Sequence, residues 1–92
     1  GGYGSFNLNG RSIGARGLPR PAYTIQEEGR IVINITVDPK GNVIFAEVGR
    51  GTNIDNASMR KSALDAARKA KFNSISGANN QSGTITYVYK FK

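Results

Sequence analysis

Residues Glu28 to Val48 read EGRIVINITVDPKGNVIFAEV, with Ile31, Ile33, Ile35 and Val37 at every second position and Asn34 and Thr36 between them. That is the period of a strand with one buried face. Asp38-Pro39-Lys40-Gly41 then closes it: Pro39 presets φ for a type I turn, and Gly41 can take the left-handed conformation that such a turn followed by a bulge requires. Val43 to Val48 returns as the partner strand. Whatever else the chain does, it must cover the isoleucine face of this hairpin.

Two further segments are available to do so. Ala57 to Lys71 is built of strong helix formers, and Met59, Ala63, Ala66, Ala67 and Ala70 recur at helical spacing beside Leu64, opposite a basic face. Asp55 or Asn56 can cap its start through a side-chain oxygen. An alanine stripe lets the helix lie close to a sheet, although it buries less area than leucines would. After a polar loop, Ile85, Tyr87, Tyr89 and Phe91 alternate with Thr84, Thr86, Val88 and Lys90, which predicts a terminal strand.

Strand, strand, helix, strand gives an α+β fold: a small antiparallel three-stranded sheet packed against one main helix, with or without a short extra N-terminal strand around Ser5 to Ile13. Phe6 and Leu8 alternate there with polar neighbours, but Gly10 and Gly14 weaken the pattern. Leu18-Pro19-Arg20-Pro21 must be extended. Residues 1–17 are expected to be a flexible or loosely attached segment and 18–92 the domain proper. Ala22 to Glu28 offers at most one helical turn before Gly29.

The 92 residues suit one domain, and neither cysteine nor histidine occurs. Disulfides, thiolate metal sites, a cysteine nucleophile and the commonest general base are thereby excluded. No phosphate-binding glycine motif is present, Gly49-Arg50-Gly51 having the wrong spacing, and Ser58 and Ser62 have no base beside them. An enzyme is the least supported class, and no cofactor is expected. The formal net charge of +7 raises the alternative of a nucleic-acid or anionic-polymer binder. Only Arg60, Lys61, Arg68, Lys69 and Lys71 share the helix, the remaining basic residues being scattered, so a solvated basic face is the preferred reading and no nucleic acid is expected.

Three strands leave two edges, each an unpaired row of backbone donors and acceptors that a protein must either blunt or use. The terminal strand could accept an extended peptide, or could be plain core with its edge covered by residues 5 to 13. The pattern alone does not choose.

The order of features carries more than any one of them. Leu18-Pro19-Arg20-Pro21-Ala22-Tyr23, Glu28-Gly29-Arg30-Ile31-Val32-Ile33, Val37-Asp38 to Gly41-Asn42-Val43, Ala63-Leu64-Asp65-Ala66-Ala67 to Lys71-Phe72 and a closing aromatic strand together resemble the C-terminal domain of TonB family proteins. The resemblance covers residues 18 to 92. It departs where the usual Tyr-Pro pair becomes Pro21-Ala22-Tyr23 and where Lys71-Phe72 replaces a tryptophan.

The resemblance implies a periplasmic domain of a Gram-negative energy transducer, the soluble end of an inner-membrane-anchored parent with a proline-rich spacer and an ExbB/ExbD motor. Such a domain binds the TonB box of outer-membrane TonB-dependent transporters and transmits force drawn from the proton motive force for nutrient uptake. Carried over, the box-pairing strand is Thr84, Ile85, Thr86, Tyr87, Val88, Tyr89, Lys90 and Phe91, with Tyr23 and Gln26 as flanking partner-binding residues. Peptidoglycan is a further partner the basic surface could steer towards. TolA-like and sensor-fused TonB-like envelope modules are the alternatives, and the chain is expected to be a monomer or a weak edge-strand dimer.

Overall fold

A computed structural model of the chain describes residues 4–14, 16–21 and 25–91. Tyr23 lies outside the described residues. The elements are β1 (Gly4–Asn7), β2 (Gly29–Val37), β3 (Val43–Val48), α1 (Ala57–Arg68) and β4 (Gln81–Tyr89). The strands form one sheet in the order β1-β4-β2-β3, with every neighbouring pair antiparallel.

The hairpin forms as its sequence requires. Gly41 has φ 92° and donates its N–H to the Asp38 carbonyl at 2.9 Å, while the Asp38 N–H reaches the Asn42 carbonyl at 2.9 Å. The Asp38 side chain accepts from the Asn42 N–H at 2.9 Å, which locks the turn, and the register slips by one between Thr36 and Val37. That slip is the expected bulge. Glycine is needed at 41 for a second reason: a Cβ there would stand 2.1 Å from the Phe72 carbonyl oxygen.

Ile31, Ile33, Ile35 and Val37 are all buried, as are Ile85, Tyr87 and Tyr89 on the same face. Two different pieces of chain cover that face. Helix α1 packs on β2 and β3 through Met59, Ala63, Ala66 and Ala67, the alanines allowing close approach. Above β4 the chain uses described residues that precede β2: Leu8 is buried, Leu18 and Ile25 pack against the core, and the Tyr87 hydroxyl donates to the Pro19 carbonyl at 3.0 Å. The proline-stiffened strap is thus part of the roof.

Asn56 is the N-cap, its side chain accepting from the Met59 N–H at 2.9 Å. The helix stops at Arg68, three residues short of the expected Lys71. Ala70 still buries its methyl, but Phe72 leaves the helix to bridge Ile13 on one side while Lys71 bridges Asn42 on the other. Those backbone bonds, with Gly14 N–H to Lys71 O at 2.9 Å and Phe72 N–H to Gly41 O at 2.8 Å, compete successfully with another helical turn. Past β3, residues 49–53 continue along β2, with Gly49 N–H to Val32 O at 2.7 Å and Asn53 N–H to Arg30 O at 3.0 Å. The expected helical turn before Glu28 is not formed over its described part, residues 25–28.

Candidate functional site: the outer edge of the terminal strand

β4 begins earlier than its alternating pattern indicates, at Gln81 opposite Val37, and pairs with β2 along its whole length to Tyr89 opposite Gly29. Its other edge faces β1 through Gly4↔Tyr87, Ser5↔Thr86, Phe6↔Ile85 and Asn7↔Thr84. The short extra strand therefore exists, over Gly4–Asn7 rather than Ser5 to Ile13. It occupies the central part of the edge on which a partner strand would lie.

The candidate residues separate by face. Ile85, Tyr87 and Tyr89 point into the core, so they shape the floor beside the edge but are not solvent-facing. Thr84 and Thr86 lie half-exposed on the opposite, polar face, where Val88 is 44% exposed. Beyond the strand Lys90 is exposed and Phe91 is 55% exposed, with the Phe91 N–H held by the Glu28 carboxylate at 3.0 Å. Gln26 is exposed in the run that leads into β2.

Side-chain sizes match across the β1–β4 pair on its core face. Tyr87 is opposite Gly4, where a Cβ would come within 3.1 Å of the tyrosine ring. Phe6 is opposite Ile85 and meets Phe72 edge to face at 5.2 Å between ring centres. Leu8 then fills the space over Gly83, where a Cβ would lie 2.4 Å from the Asn7 carbonyl oxygen and 2.7 Å from the Leu8 side chain. Below this slot Arg11 is 93% buried, being 7% exposed, and donates through Nε to Gln81 Oε1 at 2.5 Å and through Nη1 to the Asn73 carbonyl at 2.8 Å. Its Nη2 meets no acceptor among the described residues. Phe6, Leu8 and Arg11 fall within residues 5 to 13, the segment that one of the two sequence readings laid over this edge, whereas Gly4, Phe72 and Gly83 shape it without having been expected there. Only the Phe6 and Leu8 alternation hinted at it.

Five of the basic residues, Arg16, Arg20, Lys61, Lys69 and Lys71, line grooves beside the helix. One groove of about 380 Å³ runs between Pro19, Arg20 and the helix residues Ser58, Lys61 and Asp65, and another of about 400 Å³ is bounded by Arg16, Lys69 and Lys71. Neither includes a residue of β4. Part of this charge is already engaged: Lys61 and Arg68 both pair with Asp65, at 2.9 and 3.5 Å, and Lys71 Nζ donates to Lys40 O and Asn42 Oδ1 at 2.9 and 2.7 Å. The Lys61 bond holds the Asp65 carboxyl below its ordinary value. Among the described residues there is no group of three or more acidic side chains able to hold a metal, and no helix is long and apolar enough to cross a membrane.

No curated protein and no solved structure matches the chain. A family model does, over residues 17–92: the Gram-negative bacterial TonB protein C-terminal family, whose members are non-enzymatic periplasmic domains that interact with TonB-dependent outer-membrane receptors. The match takes in β2, β3, α1 and β4 in that order, with the four-stranded α+β arrangement consistent with that domain, and leaves β1 outside. By that match over most of its length, the chain belongs to the TonB C-terminal domain family.

Proposed function

We propose that this domain binds an extended segment, the TonB box, of an outer-membrane TonB-dependent transporter by strand addition along β4, and that the bound strand carries the pull of an inner-membrane motor to the transporter. The observation that supports this reading is the sheet order taken with the family match. Within residues 17–92 the sheet runs β4-β2-β3, so β4 is an edge strand of the matched domain, and the strand that pairs with that edge from outside the match, β1, is four residues long. Strand addition draws affinity from backbone bonds and selectivity from alternate side chains.

The energetics suit a partner that engages and releases. Five or six added residues make a handful of backbone bonds at about 0.5 to 1.5 kcal/mol each, against several kcal/mol for lost rigid-body freedom. The affinity is on the order of micromolar. Force on a strand paired along its whole length loads those bonds together.

Because the chain has no cysteine, a single introduced one reports position without ambiguity. Val88→Cys on β4 should form a mixed disulfide with a cysteine-bearing TonB-box peptide, whereas Phe45→Cys, on the same sheet face but on β3, should not. Equal capture at both positions, or capture at 45 alone, removes the proposal.

A further inference from the structure

We propose that β1 is a resident strand holding the slot that the transporter segment takes, and that the slot's shape sets the pattern of its replacement: a small residue, then an aromatic one, then an aliphatic one at alternate positions. The inference rests on the strand-addition reading above.

The pattern is read from what β1 places against β4. At Gly4 an added Cβ would already press on the Tyr87 ring at 3.1 Å, which favours a small residue, Ile85 and Phe72 frame a place filled by the Phe6 ring, and Leu8 lies over Gly83, where a Cβ would meet it at 2.7 Å. Ser5 and Asn7 face solvent on the other side and impose nothing of the kind. A strand that met β4 only through its backbone would need no such stepped floor. Small against large and large against small is the complementarity of a binding slot in which every other side chain is read.

Four features make β1 replaceable. It is four residues long, it lies outside the family match, it pairs with β4 alone among the described strands, and its continuation is held by bonds between neutral partners or to neutral oxygens: Arg11 to Gln81 and Asn73, Gln81 Nε2 to Asn9 O, and Ser12 with Asn73. Among the described residues no carboxylate meets that buried guanidinium. A buried charge held by neutral acceptors, with one nitrogen unmatched, favours release more than an ion pair would. Short peripheral strands of this kind open at far lower cost than the core. Binding of an outside segment is then reduced by the fraction of time the slot is empty.

A disulfide staple tests this. Ser5 and Thr86 are directly opposite on the solvated face, at a separation that antiparallel partners share with disulfides, so the variant Ser5→Cys with Thr86→Cys in the full chain can be closed by oxidation and reopened by reduction. Phe6→Ser, which empties the aromatic place, is the opened counterpart. The probes are a synthetic peptide with the sequence of residues 4–10, the same peptide with its phenylalanine replaced by serine, and a TonB-box peptide. We expect the residues 4–10 peptide to bind Phe6→Ser about tenfold or more tightly than the native chain, to lose that affinity with its own phenylalanine, and to be shut out by the oxidised staple but admitted on reduction. The TonB-box peptide should compete with it. If the TonB-box peptide perturbs β4 amides equally in the oxidised and reduced forms, β1 is no competitor and the inference falls while strand addition stands. If the residues 4–10 peptide enters the slot but the TonB-box peptide neither competes nor touches β4, the strand-addition reading falls and takes the inference with it.

Discussion

Gly41 is where the hairpin, the end of the helix and the roof over β4 meet, so its replacement by alanine should unsettle all three. The residue has φ 92°, a conformation that costs an L side chain about 1–2 kcal/mol. The larger effect is steric. An added Cβ would stand 2.1 Å from the Phe72 oxygen, 2.7 Å from its carbonyl carbon and 2.9 Å from the Asn73 oxygen, all backbone atoms that no rotamer change can move. Relief requires separating the two segments, which breaks the Phe72 N–H to Gly41 O bond and shifts a phenylalanine that is 2% exposed and in contact with Phe6. Overpacking of about 1–3 kcal/mol and a lost bond of about 0.5–1.5 kcal/mol bring the total to about 3 kcal/mol or more. Gly77→Ala is the control, because φ there is 75° but nothing lies within 4 Å of the added methyl. It should cost only the backbone term, about 1–2 kcal/mol. Denaturant melts of both variants with a common slope would read the difference, and Gly41→Ala should lower the melting temperature by about 12 °C or more. Stabilities for the two variants within about 1 kcal/mol of each other would refute the reasoning that Gly41 is required by close approach to Phe72.

Asn56→Ala removes the N-cap bond to Met59 and should cost about 1 kcal/mol by denaturant melts, with Asn56→Asp close to native. The Asn42 backbone N–H, chiefly, holds the Asp38 carboxyl below its ordinary value. A carboxyl depressed in the native state contributes stability that is present above the ordinary value near 4 and is lost as pH falls through the lower native value. The stability gap between the native chain and Asp38→Asn should therefore be full at neutral pH and close below about pH 4. A gap independent of pH would show that the turn bond does not depend on the charge.

The elements were readable where local chemistry and burial agree. The isoleucine alternation with Asp38 to Gly41 sets the hairpin, and β3 spans the expected Val43–Val48. Met59, Ala63, Ala66 and Ala67 of the expected stripe are the buried residues of α1, and Ala70 is buried just past its end. What stayed hidden depends on partners far along the chain. The place of β4 inside the sheet follows from Gly4 meeting Tyr87 and Leu8 meeting Gly83, and nothing near Gly4 records that a tyrosine 83 positions away favours a small neighbour. Arg11 looks like one more solvated cation among glycines, yet it is buried because Asn73 and Gln81 offer it oxygens. Helix propensity likewise runs on through Lys71. Tertiary bonds from Gly14, Gly41 and Asn42 end the helix earlier. Fold class and family were thus within reach of one sequence, while cover of the β4 edge by residues 5 to 13 was one of two readings that the pattern left even, and the pairing of Gly4–Asn7 with β4 decides for it.

The central claim, that the outer edge of β4 is the surface that takes the partner, is tested most directly by backbone amide chemical shifts of the labelled chain during titration with a TonB-box peptide. Shifts concentrated over Gly83 to Phe91, together with loss of the β1 pairing at Gly4 to Asn7, are the predicted result. Shifts confined to Val43 to Val48 or to the basic face of α1, with β4 and β1 unchanged at saturation, would contradict it.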